Sequence, residues 1–400
     1  MKPVAFVIPW YGDDIKGGAE SECNQLAHLF LEKHIPVEVL TTCVKQASDD
    51  RGTNTLPEGS HMESGVCVRR FPVKKQNMEK LVPANLKLFH NEPVTPEEEK
   101  NYLEEDINSP AMYRFIRENW DHYHCFIFLP YLYGITYSGS AECLEKAVMI
   151  PCLHDEGYAH MELIRKRMEE IKKIIFLSRP EQELAEKLYD LSGAKREVIG
   201  AYVESGWESH VNPSSFRTKY RITDPFLLCA GRKESGKKTD MLLDYYLYYQ
   251  KKKKSRLKLV FIGGGNITIP DDSRKDVLDL GFVSLQDKYD AMASCLALCN
   301  PSFFESFSIV IMESWLAGRP VLVSEQCKVT ADFCRESNGG LWFDSYELFE
   351  GCVDYLLSHP DEANQMGRNG QHYVHTHFTK DAVFPKYMDF LEIKKDDCHP

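Results

Sequence analysis

The chain has 400 residues, a formal net charge of -12, and 43% hydrophobic, 27% charged and 12% aromatic residues. That length suits two domains rather than one core, and the composition is that of a folded globular protein, not a disordered one. The acidic balance argues against a broad phosphate-backbone surface, so nucleic acid is not an expected partner, and no apolar run reaches the roughly 20 residues a membrane-crossing helix needs.

The N-terminus enters directly as a strand, VAFVIPWY, with no export or insertion signal, so the expected location is the cytoplasm. The thirteen cysteines include no C-x-x-C pair, and many sit in apolar runs, as Cys152, Cys229 and Cys299 do. They read as small buried hydrophobes in a reducing compartment rather than as disulfides or zinc ligands.

Short apolar strands alternate with helical stretches along the chain, the pattern of parallel α/β sheets. In the first half the strands read as VAFVIPW, PVEVLTT, VCVRRF, HCFIFLP, VMIPCLH and KIIFLS, with helices at Ala19–Lys33 and Glu181–Leu191. Residues 72–120 break the alternation and read as a partly helical insertion. The second half restarts with FLLCAGR, a helix over DMLLDYYLYYQ, LKLVFIGGG, VLDLGFV, a helix near QDKYDAMAS, LALCNPS and RPVLVS. The pattern predicts two successive Rossmann-like halves, with Gly206, Asn212, Pro213 and Ser214 marking the boundary. The expected domains are 1–205 and 206–379, with a C-terminal helix at 380–397 packing back on the first. A ligand between the halves meets the C-terminal ends of strands from both, where open α/β sheets place their sites.

Four loops carry the chemistry. In YGDDIKGGAESE, Gly17 and Gly18 precede a helix, where bare backbone and free amides favour an anion, although such a pair is also an ordinary turn. LCAGRKESGKK places Arg232 and Lys237 on a loop after a strand, a fork and a point charge suited to a diphosphate. FIGGG, ending at Gly265, allows either close approach to a nucleotide or a tight turn. In ESFSIVIMESWLAGRPVLV, Glu305 falls in a loop and Glu313 about two turns into a helix that Gly318 ends. The free amides of Phe307, Ser308 and Ile309 lie between them in sequence and suit a phosphate. A carboxylate can accept two hydroxyl hydrogen bonds from a vicinal diol. The plainer alternative is that Glu305 caps the helix and Glu313 points to solvent.

The run GFVS to RPVLVS, with Glu305 and Glu313 as its E-x7-E pair, resembles the donor-binding domain of retaining GT-B glycosyltransferases of family four. GRKESGKK, GGAE and IPCLHDE extend the resemblance over nearly the whole chain. It implies the GT-B fold, two Rossmann-like domains facing each other across a cleft. It further implies that Glu313 holds the nucleotide ribose and that Glu305 lies beside the donor sugar. Arg232 and Lys237 would neutralise the diphosphate, Gly17 and Gly18 would face the phosphates and acceptor, and His154 would approach the reacting sugar. The implied reaction moves a hexose from a GDP- or UDP-sugar to a glycan or lipid-linked glycan with retained configuration, in cell-surface polysaccharide (lipopolysaccharide) biosynthesis. In that chemistry Glu305 orients the sugar and is not a covalent nucleophile.

Three departures stand out. Ser306 and Ser308 replace glycines common in the family's EGFG, VIGAYVESGW replaces a familiar Asn-Gly, and Lys238 sits where glycine is common. No D-x-D is present, and Asp13-Asp14 and Asp271-Asp272 are adjacent pairs whose side chains need not converge, so no metal or other cofactor is expected. His122 and His124 lack an evident third ligand. The stretch 69–89 mixes Arg69, Arg70, Lys74, Lys75, Lys80 and Lys87 with apolar residues, which reads either as a solvated insertion or as a peripheral contact with the inner face of a membrane. Competing readings are a nucleotide-sugar epimerase of the same fold and a non-catalytic sugar-binding subunit. A NAD dehydrogenase fits worse, since no G-x-G-x-x-G follows the first strand.

Overall fold

The computed structural model describes residues 1–12, 15 and 17–394. Asp13 and Asp14, weighed above as a carboxylate pair, lie outside the described residues, as do residues 395–397 of the expected C-terminal helix. The chain forms two compact units, one of Met1–Tyr202 together with the segment from Val383 onward, the other of Val203–Ala382.

In the first unit β1 (Val4–Val7), β2 (Val37–Thr42), β3 (Gly59–Glu63), β4 (Val66–Phe71), β5 (Cys125–Phe128), β6 (Ala147–Met149), β7 (Lys173–Phe176) and β8 (Lys195–Val198) form one sheet. Its order is β3-β4-β2-β1-β5-β6-β7-β8, parallel except for the β3 and β4 pair. Val4 of β1 lies opposite both Val37 and Cys125, so the central strand is covered on both edges. β1, β2, β5 and β6 are buried along their whole length. Burial on both faces explains why such strands read as unbroken apolar runs rather than alternating ones.

Three details differ from the sequence reading. β3 (GSHME) and β8 (KREV) are edge strands whose polar, mostly exposed residues carry no apolar signal. The strand expected over VMIPCLH stops at Met149, and residues 150–156, His154 among them, are loop. The helix expected at Glu181–Leu191 runs Arg179–Leu188, starting early because the Ser178 hydroxyl accepts the Glu181 amide and Pro180 fits the first turn. The 72–120 insertion is three helices, Met78–Phe89, Pro96–Glu105 and Pro110–Asn119, capped by Asn77, Thr95 and Ser109. From Val383 the last helix, Lys380–Leu391, packs in this unit, with Tyr387 and Phe384 against Phe30 and the Leu391 carbonyl on His124.

The second unit is a six-stranded parallel sheet of β9 (Phe226–Ala230), β10 (Lys258–Ile262), β11 (Val277–Asp279), β12 (Ala297–Asn300), β13 (Val321–Ser324) and β14 (Gly340–Phe343). Its order is β11-β10-β9-β12-β13-β14. The helix Ile309–Leu316, which carries Glu313, is backed by the helix Pro360–His377 through two glycines. A Cβ at Gly367 would sit 2.0 Å from the Gly318 carbonyl oxygen, and one at Gly370 would sit 2.1 Å from the Trp315 ring. Trp315 is fully buried and donates its indole N–H to the Gly339 carbonyl at 2.8 Å, so it has nowhere to retreat.

Overpacking of this kind costs about 1–3 kcal/mol. Gly367→Ala and Gly370→Ala should each lower the free energy of urea unfolding by about that amount. Gly351→Ala, on the helix Tyr346–Ser358 with nothing within 4 Å of the new methyl, should instead stabilise by about 0.5–1 kcal/mol. Equal effects at the three positions would contradict this packing account.

Candidate active site

The strand order of the second unit reverses between β9 and β12. From β9 the chain crosses to β10 on one side, and from β12 it crosses to β13 on the other. Loops leaving the C-terminal ends of two such neighbours diverge, which is where open α/β sheets leave room for a ligand. The basic loop comes after β9 and the Glu305 loop after β12, so topology alone brings them side by side.

Lys237 Nζ lies 2.9 Å from Glu305 Oε1. Asn300, the last residue of β12, spends both amide hydrogens here, donating to Glu305 Oε1 at 3.2 Å and to Ser308 Oγ at 2.8 Å. Burial pushes the Glu305 carboxyl toward its neutral form, but the charge and hydrogen bond of Lys237, with Asn300 and Ser302, outweigh it and hold the group below its ordinary range. Lys237 uses one of its three N–H bonds on this contact, leaving the others for a further anion. Arg232 is not drawn into the cluster; its side chain is about half exposed, with Glu234 at 3.6 Å.

At the helix start, Ser308 has φ +74°, a left-handed backbone that suits glycine better than serine. The Asn300 bond to its hydroxyl fixes this residue in place. Phe307 is 3% exposed, its ring 4.8 Å from that of Phe378 and 5.4 Å from that of Phe333, so its side chain anchors the loop in the core. Among the described residues the amides of Phe307, Ser308 and Ile309 find no hydrogen-bond acceptor. Three adjacent N–H groups at a helix N-terminus make an anion cradle.

Glu313 is 7% exposed and pairs through Oε1 with Lys288 of the helix Leu285–Ser294. Its Oε2 is buried without a hydrogen-bond partner. A buried carboxylate oxygen left unsatisfied costs free energy, which a hydroxyl donor arriving there relieves. Neither plain alternative holds, since Glu305 bonds to Lys237 and Asn300 rather than capping the helix, and Glu313 does not face solvent.

The triple glycine is explained by backbone packing. Gly263 and Gly265 both have positive φ, and a Cβ on them would sit 2.1 Å from the Gly231 carbonyl oxygen and 2.4 Å from that of Lys233. Lys233, unnoticed in the sequence, is buried and ties the two loops together, donating to the Gly263 carbonyl and lying 3.0 Å from Asp279. Lys288 and Asn300 were also missed. Asn300 stood out only as a polar residue ending an apolar strand, and Lys288 carried no signal, being 25 residues from its partner.

The remaining candidates belong to the first unit. Gly17 is the extended residue before the helix Gly18–Glu32, and a Cβ there would collide with the Glu20 carboxylate, which accepts the Trp10 indole N–H. Gly18 is exposed with open space around it. His154 sits in the loop after β6, 3.7 Å from Glu156.

Removing one partner of a largely buried ion pair leaves the other charge uncompensated. Lys237→Met should therefore lower stability at pH 7 by about 2 kcal/mol in urea unfolding. Because the Glu305 pKa is depressed in the folded protein, its contribution is present above the unfolded carboxylate pKa of about 4.3 and is lost on acidification. The gap between wild type and variant should thus narrow below about pH 4; a gap independent of pH would contradict the assignment.

Residues 214–373 match the family described as Glycosyl transferases group 1. No match was found among curated proteins. Among solved structures, the chain is similar to a sucrose-phosphate synthase from Thermosynechococcus elongatus (TM-score 0.67, 13% identity, 98% of each chain covered). It is also similar to WaaG, a glycosyltransferase involved in lipopolysaccharide biosynthesis (TM-score 0.66, 14% identity, 97% of this chain and 99% of that one). A third likeness is to the trehalose-6-phosphate protein from E. coli bound with UDP-2-fluoro glucose (TM-score 0.72, 10% identity, 98% and 99%). At these identities the structural likenesses speak to the fold, while the family match covers the segment that holds Lys237, Glu305 and Glu313. Residues 214–373 thus form a Glycosyl transferases group 1 domain, and the chain is a glycosyltransferase with the GT-B fold.

Proposed function

We propose that the protein transfers a hexose from a UDP- or GDP-sugar to a glycan or lipid-linked glycan with retention of configuration. The observation that carries this reading is Glu313, a buried carboxylate with one oxygen neutralised by Lys288 and the other unpartnered, which suits a ribose diol. The amides of Phe307, Ser308 and Ile309 take the diphosphate, together with Lys237 and the outward-reaching Arg232. Glu305, held as a carboxylate, orients the sugar hydroxyls. The UDP-2-fluoro glucose named with the E. coli structure is a donor analogue of the class this site suits.

In the transfer, the bond from the anomeric carbon to the β-phosphate oxygen breaks while the acceptor oxygen bonds to the same carbon on the same face. The acceptor proton passes to the leaving phosphate, so no base residue is consumed. Negative charge grows on the diphosphate, and Lys237, Arg232 and the helix amides stabilise it, the electrostatic contribution that is usually largest. These groups meet the charge without a metal ion. Gly17, Gly18 and His154 act on the acceptor side, with His154 toward the reacting sugar.

An observation in the first unit favours a lipid-linked acceptor. On the helix Met78–Phe89, Met78, Val82, Leu86 and Phe89 are 54%, 39%, 52% and 63% exposed, and their spacing puts them on one face. The basic character expected around them is mostly neutralised: Arg69, Arg70, Lys74 and Lys87 pair with Glu38, Glu63, Glu105 and Glu98. Lys75, just before this helix, and Lys80, on the side of it away from the apolar face, remain exposed. Among the described residues no helix is long and apolar enough to cross a membrane. A peripheral contact at the cytoplasmic face of a membrane is the matching location.

A thermal-shift panel of UDP-, GDP- and ADP-sugars tests the donor reading, because a ligand that binds only the folded state raises the midpoint. One of the UDP- or GDP-sugars should shift the wild type, and Glu313→Ala should abolish the shift. Nucleoside diphosphate release should fall at least 100-fold in Lys237→Ala, as for loss of an oxyanion-type donor, and should survive EDTA. No shift from any donor would refute the reading. Sedimentation with phosphatidylglycerol vesicles tests the membrane contact: Leu86→Asp with Phe89→Asp should weaken binding, and absence of wild-type binding would remove it.

A further inference from the structure

The loop that carries His154 is held by a residue outside it. Cys152 has φ +52°, a left-handed backbone uncommon for a residue with a side chain, and it is buried. The next amide, Leu153 N–H, donates to Glu181 Oε1 at 2.7 Å, while Glu181 Oε2 accepts the Leu177 N–H at 2.6 Å. One carboxylate therefore bridges the chain leaving β6 to the chain leaving β7. Glu181 is 1% exposed, and its place is fixed by the first turn of the helix Arg179–Leu188.

Resting on the role given above to His154, we propose that Glu181 is a positioning residue: its carboxylate clamps the strained Cys152–Leu153 turn in the conformation that presents His154 to the reacting sugar. Both oxygens are needed, since each takes a different backbone amide. A glutamine would offer one acceptor and turn an N–H group toward the other amide. Burial pushes the Glu181 carboxyl up to about 7 against the pull of the two amides and of His154. A carboxylate kept out of water at that cost fits a role in geometry better than one in stability.

The test uses Glu181→Gln and Cys152→Val, the second forcing a β-branched residue into the same left-handed turn from its other side. Two measurements are made on each folded variant. Amide hydrogen exchange at Leu153 should accelerate at least tenfold in Glu181→Gln. Nucleoside diphosphate release, from UDP-glucose or GDP-mannose according to which the wild type uses, should show kcat reduced at least tenfold with donor KM within threefold in both variants. A role in stability alone would lower the melting temperature and leave kcat per folded molecule intact. Unchanged Leu153 exchange, or unchanged kcat while His154→Ala is inactive, overturns the proposal. If His154→Ala itself retains full kcat, the role assigned to His154 fails and the proposal falls with it, a result distinct from failure of the clamp. Should Glu181→Gln not fold, Cys152→Val with its kcat and KM still decides the matter.

Discussion

The second unit turns on a single ion pair, Lys237 with Glu305, formed across the place where the sheet changes direction. Sixty-eight residues separate the partners. They meet because β9 and β12 are hydrogen-bonded neighbours whose outgoing loops diverge. The pair does two things at once. It keeps a buried carboxylate charged against desolvation, and it ties an ammonium group with unused donors to the loop whose Phe307, Ser308 and Ile309 amides find no acceptor among the described residues. Without that lysine the loop would hold either an uncompensated charge or a neutral acid.

The surrounding structure serves that arrangement. Lys233 and the glycines Gly263 and Gly265 lock the basic loop to its neighbour, the two glycines through approaches to the Gly231 and Lys233 carbonyls that a side chain on either would not permit. Phe307 pins the opposite loop into the core, and Asn300 holds Ser308 in its unfavourable backbone conformation. Behind the Glu313 helix, Gly367 and Gly370 let a second helix approach until it touches Trp315 and the Gly318 carbonyl. Glu313 is thus carried on an element whose position is set by close packing from the rear, and among the described residues its Oε2 has no hydrogen-bond partner.

Most of the α/β organisation was legible because buried parallel strands announce themselves as short apolar runs, as FLLCA and KLVFI do. The edge strands β3 and β8 were not, because an exposed strand has no reason to be apolar. The E-x7-E spacing and the Arg232–Lys237 loop were visible as local patterns, and the sequence put Glu305 in the loop and Glu313 in the helix. The helix starts at Ile309 and so carries Glu313 about one turn in rather than two, and the spacing left its burial open. What the pattern did not reveal was partnership. Lys288 and Asn300 are recognisable only once the fold brings them to the glutamates, and Glu181 looked like an ordinary first-turn helix residue. Arg232 shows the converse: a conspicuous charge in the motif that stays about half exposed beside Glu234. The departure at Ser308 acquired a physical meaning, since it occupies a backbone region where glycine would be unstrained.

The central claim is that the Glu313 carboxylate receives the ribose hydroxyls of the donor nucleotide. The most direct measurement is a calorimetric cycle comparing UDP or GDP, whichever binds, with its 2′,3′-dideoxy analogue, on the wild type and on Glu313→Ala. Removing the hydroxyls should weaken binding to the wild type about tenfold or more, the range expected for a hydrogen bond to a charged group, and should make little difference in the variant. Equal losses in both proteins would mean the hydroxyls contact something else, and the assignment of Glu313 would be wrong.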